Sequence, residues 1–271
     1  MHALHSMLPA ANNKAQPETV ALFVSDLHLH TSLPRTTAAF ADFLQNQAQH
    51  AQQLYLLGDI FEYWAGDDDC ADPYNQEVID AIRAVSDAGV AVYWIAGNRD
   101  FLVGDVFARE AGLTRLDDPS IVTIAGQKIV LVHGDAQCTD DEAYMTFRTQ
   151  VRQPAWQHHF LAMPLAQRKT IIAGLRSGSR AAQRDKSDAI MDVNADAIAR
   201  VFDASNTNLM IHGHTHRPAK HIDHDSDGNH TRTRYVLPDW DCDTGVRRGG
   251  WIAMTADGQI IRADLDGVLP E

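Results

Sequence analysis

"MIHGHTHRP", residues 210–218, ends the apolar run Leu209-Met210-Ile211 with His212, His214 and His216 at every second position. On an extended chain, residues an even number apart project from the same side. The spacing therefore predicts three imidazoles facing one way at the end of a buried strand. Metal ligands or an anion site would look like this, and so would an ordinary polar strand end. The rest of the chain separates the two readings.

Other apolar runs end in the same manner. "TVALFVSD" (19–26), "QLYLLGD" (53–59) and "VAVYWIAGNRD" (90–100) read as strands, and "SIVTIAGQKIVLVHGD" (120–135) as a hairpin turning at Ala125-Gly126. Between the first three lie helical patterns at 36–49, with Phe40, Phe43 and Leu44 on one face, and at 75–89, ending at Gly89. Further strands follow at 207–216, 233–240 and 249–263. Strands alternating with helices, then antiparallel strands, predict an α/β layered domain with mixed sheets.

The chemistry sits at the strand ends: "SDLHLH" (25–30), "GDIFEYW" (58–64), "GNRD" (97–100), "HGD" (133–135) and "HGHTH" (212–216). In open α/β sheets, sites form outside the carboxyl ends of strands. These ends bring Asp26, His28, Asp59, Asn98, His133, His214 and His216, a set of imidazole, carboxylate and amide oxygen without thiolate. Such donors suit Mn²⁺, Fe²⁺ or Zn²⁺ better than Ca²⁺ or Mg²⁺. Seven ligands exceed the needs of one ion that keeps room for water, which points to two ions sharing a carboxylate. Any one of these residues alone reads more simply as a helix cap, a turn or a surface histidine. Five clusters, each after an apolar strand, do not.

Composition narrows the classes. The chain has 271 residues, 45% hydrophobic and 22% charged, with a formal net charge of −13. That balance argues against a nucleic-acid binder, which presents a basic face. Cys70, Cys138 and Cys242 are odd in number and widely spaced, which fits a reducing compartment better than a disulfide framework. The first 17 residues read as an N-terminal extension without signal-peptide character, and no stretch is long and apolar enough to span a bilayer. The expectation is a cytoplasmic chain, or one on a membrane surface.

The order of motifs resembles the calcineurin-like metallophosphoesterases, whose pattern is D-x-H, G-D, G-N-H-[DE], H and G-H-x-H. The resemblance implies a four-layer αββα sandwich with two mixed β-sheets. It further implies one ion on Asp26, His28, Asp59 and His216, and a second on Asp59, Asn98, His133 and His214, with Asp59 bridging. His212 is left as a supporting residue. One position departs from the pattern: Arg99 stands where the broad family has histidine. An alkoxide leaving group benefits from a proton donor. A phosphate monoester, with a second pKa of about 6, does not need one. Arginine offers a permanent bidentate contact instead, so Arg99 points to cleavage of a pyrophosphate.

"SDLHL", "GDIFEYWAGDDD", "AGNRDFLVG", "LVHGDAQCTDD" and "MIHGHTHRP" together resemble the UDP-2,3-diacylglucosamine diphosphatases of lipid A synthesis. That likeness implies hydrolysis to UMP and 2,3-diacylglucosamine 1-phosphate, with two Mn²⁺ per chain and attack on the uridine-side phosphorus by hydroxide held between them. It places the protein peripherally on the cytoplasmic face of the inner membrane. Asp59, Asn98, Arg99 and His214 would be catalytic. Asn98, Arg99, Asp141, Tyr144, Ser179, Gln183, Lys186 and His214 would meet substrate; Gln183 replaces an asparagine of the enterobacterial pattern. Rival readings are a phosphoesterase for another nucleotide diphosphate and a non-catalytic scaffold of the same fold.

Residues 141–186 interrupt the domain with helical patterns broken at Pro154 and Pro164. Eight basic residues against three acids leave the segment at +5, so the remainder carries −18. An apolar, basic insertion on an acidic body predicts a lid for an anionic glycolipid nucleotide and for an anionic membrane surface. A monomer without nucleic-acid partners is expected.

Overall fold

The computed structural model describes residues 18–184, 192–224 and 231–269, with side chains described through residue 177 of the first span. The expected extension, 1–17, lies outside these residues. The elements begin with β1 (Thr19–Val24), α1 (Pro34–Asn46), β2 (Gln53–Leu56), α2 (Pro73–Asp87), β3 (Ala91–Ile95), α3 (Asp105–Ala111) and β4 (Leu113–Leu116). The hairpin β5 (Ser120–Ile124) and β6 (Gln127–Leu131) follows, then three helices, α4 (Glu142–Val151), α5 (Pro154–Leu161) and α6 (Leu165–Arg184). Helix α7 (Ala195–Ser205) leads to β7 (Leu209–His212), β8 (Ala219–His224), β9 (Thr231–Val236), β10 (Gly250–Thr255), β11 (Ile260–Asp264) and β12 (Gly267–Val268).

Seven strands form one sheet in the order β12-β11-β10-β1-β2-β3-β4, and five form a second, β5-β6-β7-β9-β8. Each mixes parallel and antiparallel pairs. The two-residue period of a strand builds the layers. Ala21 and Phe23 of β1 pack towards the second sheet with Leu131, Ile211 and Leu237. Leu22 and Val24, facing the other way, join Phe40, Phe43, Ile79 and Ile82 of α1 and α2. On the far side of the second sheet, Val130 and Met210 pack on Ile198 and Phe202 of α7. Helix, sheet, sheet, helix is the result. Central strands buried on both faces need apolar residues at nearly every position, which is why their runs are unbroken.

Within the first sheet β1, β2 and β3 are parallel, and within the second so are β6, β7 and β9. Their carboxyl ends therefore gather, and the loops beyond them are laced by backbone hydrogen bonds. Asp26 N donates to Gly58 O at 3.0 Å, Gly213 N to His133 O at 2.9 Å, and Trp240 N to Asp26 O at 3.0 Å.

The opening triplet is not one extended face. Strand β7 ends at His212, and Thr215 N donates to Gly213 O at 2.8 Å, closing a tight turn. His214 (φ 67°) and His216 (φ 55°) are left-handed, so the even spacing does not set their common direction. The turn does.

Candidate metal centre and active site

Asp26, His28, Asp59, His214 and His216 all take positive φ, between 49° and 67°. Each non-glycine residue there costs on the order of 1–3 kcal/mol and persists only where its surroundings hold it. The lacing of the loops does so, and adjacent glycines make room. A Cβ on Gly97 would stand 2.2 Å from Asp59 Oδ1. One on Gly213 would stand 2.2 Å from Ser25 Oγ and 2.3 Å from Asp26 Oδ2.

Two groups of donors result, each with atoms within 4.8 Å of one another: Asp26, His28 and His216, and Asp26, Asp59 and His133. In the first, His28 Nε2 and His216 Nε2 face each other at 3.1 Å, and Asp26 Oδ1 lies 3.3 Å from His216 Nε2. In the second, Asn98 Oδ1 stands 3.0 Å from His133 Nε2 and 2.8 Å from His214 Nδ1. Asp59 reaches both. Its Oδ1 is 3.7 Å from His133 Nε2, and its Oδ2 is 4.0 Å from His28 Nδ1. The seven sequence-derived ligand candidates thus lie together, with Asp26 joining both groups.

The residues fit a pair of divalent cations. Asp26 Oδ1 and His28 Nδ1 are buried without a hydrogen-bond partner, whereas most buried polar atoms in proteins have one. The other Asp26 oxygen is committed, accepting from Ser25 Oγ at 2.5 Å and His214 N at 2.8 Å. His133 Nδ1 donates to Leu57 O at 2.8 Å, which aims Nε2 into the cluster, a usual arrangement for a ligating histidine. His212 is different: Nδ1 meets Gly213 O at 2.8 Å and Nε2 meets Arg234 Nη1 at 2.9 Å, so both nitrogens are spent.

Charge is crowded here. Burial raises the Asp59 carboxyl, and the neighbouring Asp26 adds to the shift. Burial opposes ionisation of Asp26 too, but His216 beside it and the charges of His133 and His28 hold it far below the carboxylate range. Burial also disfavours the His133 cation, yet Asp59, Asp26 and Asp135 outweigh it and lift that imidazole to about 9. His214, buried beside His133, falls to about 4.

Arg99 stands at the rim. Its backbone N donates to Asp59 Oδ1 at 2.8 Å, and Nη1 donates to Glu62 Oε2 at 3.0 Å. The Tyr144 ring lies 6.2 Å from that of His214, inclined by 28°. Asp141 is the N-cap of α4, accepting from Tyr144 N at 3.1 Å. Ser179 and Gln183 fall on the helical backbone of α6, their side chains outside the described residues, as is all of Lys186.

The basic residues of the insertion do not point as their count suggests. Arg148 and Arg152 face Asp135, Arg168 pairs with Asp68, Lys169 with Asp69, and Arg176 with Glu62. Arg168 is only 1% exposed. Among the described residues these five cations are turned to acids of the body, because a net charge fixes no direction.

Glu62, Asp100 and Asp135 also stand at the site, though no motif position marks them. All stand inside the strand-end strings, beside the motif residues. Asp100, fully buried, accepts from Ile60 N at 2.7 Å and Gly97 N at 2.9 Å, tying the Asp59 loop to the Asn98 loop. Burial and the adjacent Asp59 push its carboxyl up to about 7.

A family profile described as calcineurin-like phosphoesterase matches residues 20–218. The UDP-2,3-diacylglucosamine hydrolase of Aromatoleum aromaticum is 50% identical over 228 residues, 84% of this chain and 92% of that one. The chain belongs to this hydrolase family, within the calcineurin-like phosphoesterases. Equally named relatives from Chromohalobacter salexigens (49% over 219 residues; 81% and 88% of the two chains) and Vibrio vulnificus (44% over 238; 88% and 94%) match at similar levels. The four-layer arrangement is that of the calcineurin-like fold. Among the described residues no helix is long and apolar enough to cross a membrane.

Proposed function

We propose that the chain hydrolyses the pyrophosphate bond of UDP-2,3-diacylglucosamine, giving UMP and 2,3-diacylglucosamine 1-phosphate in lipid A biosynthesis. The observation that carries this reading is the 50% identity across 92% of a hydrolase of that name. Arg99 at the rim of the metal-ligand cluster gives it a chemical basis.

Asp26, His28, Asp59 and His216 would hold one ion, and Asp59, Asn98, His133 and His214 the other. Mn²⁺ is the species proposed, since imidazole, amide and carboxylate donors without thiolate suit it. When bound, the two ions would supply Lewis acidity that acidifies water and offsets charge gathering on the phosphoryl oxygens. The protein supplies placement. Arg99 presents a fixed positive charge to the phosphoryl oxygens, and Asn98 and His214 flank them. The departing sugar phosphate carries its own charge stably, so no proton donor is required of Arg99. Asp141, Tyr144, Ser179, Gln183 and Lys186 would meet the rest of the substrate, with the insertion taking the acyl chains. The partners proposed are the anionic glycolipid nucleotide and the cytoplasmic face of the inner membrane, to which a monomer attaches peripherally.

Hydrolysis in ¹⁸O-labelled water tests both substrate and direction. Label recovered in UMP is expected. Label in the sugar phosphate would place attack at the other phosphorus, and equal turnover of deacylated UDP-glucosamine would remove the lipid from the reading.

A further inference from the structure

Glu62 has no place among the ligands or substrate contacts, yet it joins the site to the insertion. Its backbone is fixed: the N–H donates to Leu29 O at 3.0 Å, next to the Leu29–Phe61 bridge. Its side chain answers two arginines. Oε2 accepts from Arg99 Nη1 at 3.0 Å, while Oε1 and the main-chain carbonyl accept from the two terminal nitrogens of Arg176 on α6. Oε2 also lies 3.8 Å from His28 Nδ1.

Arg99 accordingly stands between two carboxylates. On one side Nε is 3.3 Å from Asp59 Oδ2, buried and without a completed hydrogen bond. On the other is the bond to Glu62. Only the first of these acids belongs to the ligand cluster. A guanidinium that settled on Asp59 would compete with a metal ion for the same oxygen, and at this burial their repulsion is poorly screened.

We propose that Glu62 is a positioning residue: it draws the Arg99 guanidinium off Asp59, leaves that carboxylate to the metal, and fastens α6 over the arginine through Arg176. The role rests on the dimetal reading above. It makes closure of the insertion and readiness of the metal site one arrangement, because the same carboxylate serves both arginines.

Mn²⁺ titration calorimetry on chelator-stripped wild type, Glu62→Gln, Arg99→Met and the double variant tests it. Glu62→Gln should weaken Mn²⁺ binding about five- to tenfold, a coupling typical of residues in contact. Removing Arg99 as well should restore binding to the level of Arg99→Met alone, since the competitor is gone. A folding defect would instead weaken binding with or without Arg99, and that result overturns the proposal. Thermolysin should cut residues 165–177 faster in Glu62→Gln and in Arg176→Met, with no further gain when both are changed; additive gains would overturn the link to α6. Wild type that binds two Mn²⁺ while Glu62→Gln matches it would sink the role of Glu62 alone. Wild type that binds none would sink the dimetal reading and this inference with it.

Discussion

The Tyr144 hydroxyl donates to Asp135 Oδ2 at 2.6 Å, and this bond ties the insertion to the end of strand β6. Arg148 Nε donates to the same oxygen at 2.8 Å, and Arg152 Nη2 reaches on to Gly97 O at 2.8 Å, next to Asn98. Helix α4 is thereby a wall of the site, anchored to two ligand-bearing loops. The Tyr144 proton is committed to Asp135, which leaves its hydroxyl oxygen an acceptor only.

Replacing Asp135 should destabilise the chain strongly. It is fully buried, and Asp135→Ala leaves Arg148 facing a gap; breaking such a pair costs about 3–5 kcal/mol. Burial opposes ionisation, but His133, Arg148 and Arg152 hold the carboxyl well below its usual range. A depressed folded pKa gives stability that is complete above the unfolded value, about 3.9, and lost as pH falls towards the folded one. Urea unfolding of chelated wild type and Asp135→Asn should therefore differ most above pH 5 and converge in acid. A constant gap from pH 7 to pH 3 would remove Asp135 from this role.

Asp59 and His212 should separate sharply. Asp59→Ala removes a carboxylate that faces both donor groups, and turnover should vanish with the folded state retained. His212 has both nitrogens occupied by Gly213 O and Arg234. His212→Ala should keep substantial activity, within about tenfold of wild type, the loss coming from a loosened turn worth about 1–3 kcal/mol. Should the two variants prove equally dead, His212 is a functional partner of the cluster and not a support.

Metal binding should release protons. With its imidazole lifted to about 9, metal-free His133 carries at neutral pH a proton that an ion must displace. Affinity for Mn²⁺ should rise as pH climbs towards 9. Calorimetry in two buffers of different ionisation heat measures the release directly; identical heats would contradict it. After chelation, activity should return better with Mn²⁺ than with Ca²⁺, and full activity in metal-free buffer would end the two-ion reading.

Much of this site is legible in the sequence because each ligand sits next to a strand, and strands announce themselves by apolar runs. Asp26, Asp59, Asn98 and His133 follow β1, β2, β3 and β6 within a few residues, so chain order carries spatial order. What lies in side-chain direction is not so written. The spacing of His212, His214 and His216 suggested one extended face, whereas a turn at Gly213 parts the first from the others. Helix α3 and strand β4, seven and four residues long, are too short for a period to show. The charge excess of the insertion is visible, but its targets are not: Asp68, Asp69 and Glu62 lie 100 or more residues away, and Asp135, 13 residues before Arg148, carries no local mark.

Those inward-turned cations are poor probes of lipid binding by the insertion. Arg148→Glu would set an anion against buried Asp135 and should lower activity on every substrate by damaging the fold. Phe147 and Leu175 are the better probes. They are 38% and 46% exposed, so truncating them removes apolar surface and not core packing. Truncating exposed residues usually changes stability by no more than about 0.5 kcal/mol, so an effect on catalysis can be read without unfolding. If these side chains grip acyl chains, Phe147→Ala and Leu175→Ala should lower kcat/KM for the diacylated substrate about tenfold, the loss of roughly 1.4 kcal/mol of binding spread over KM and kcat. Deacylated UDP-glucosamine, which makes no such contact, should be cleaved as poorly by the variants as by wild type. The comparison is kcat/KM for both substrates, with Mn²⁺ content and melting temperature measured alongside. Equal proportional losses on the two would mean that the exposed apolar face does not touch lipid, and the insertion would then be a wall for the phosphates and nothing more.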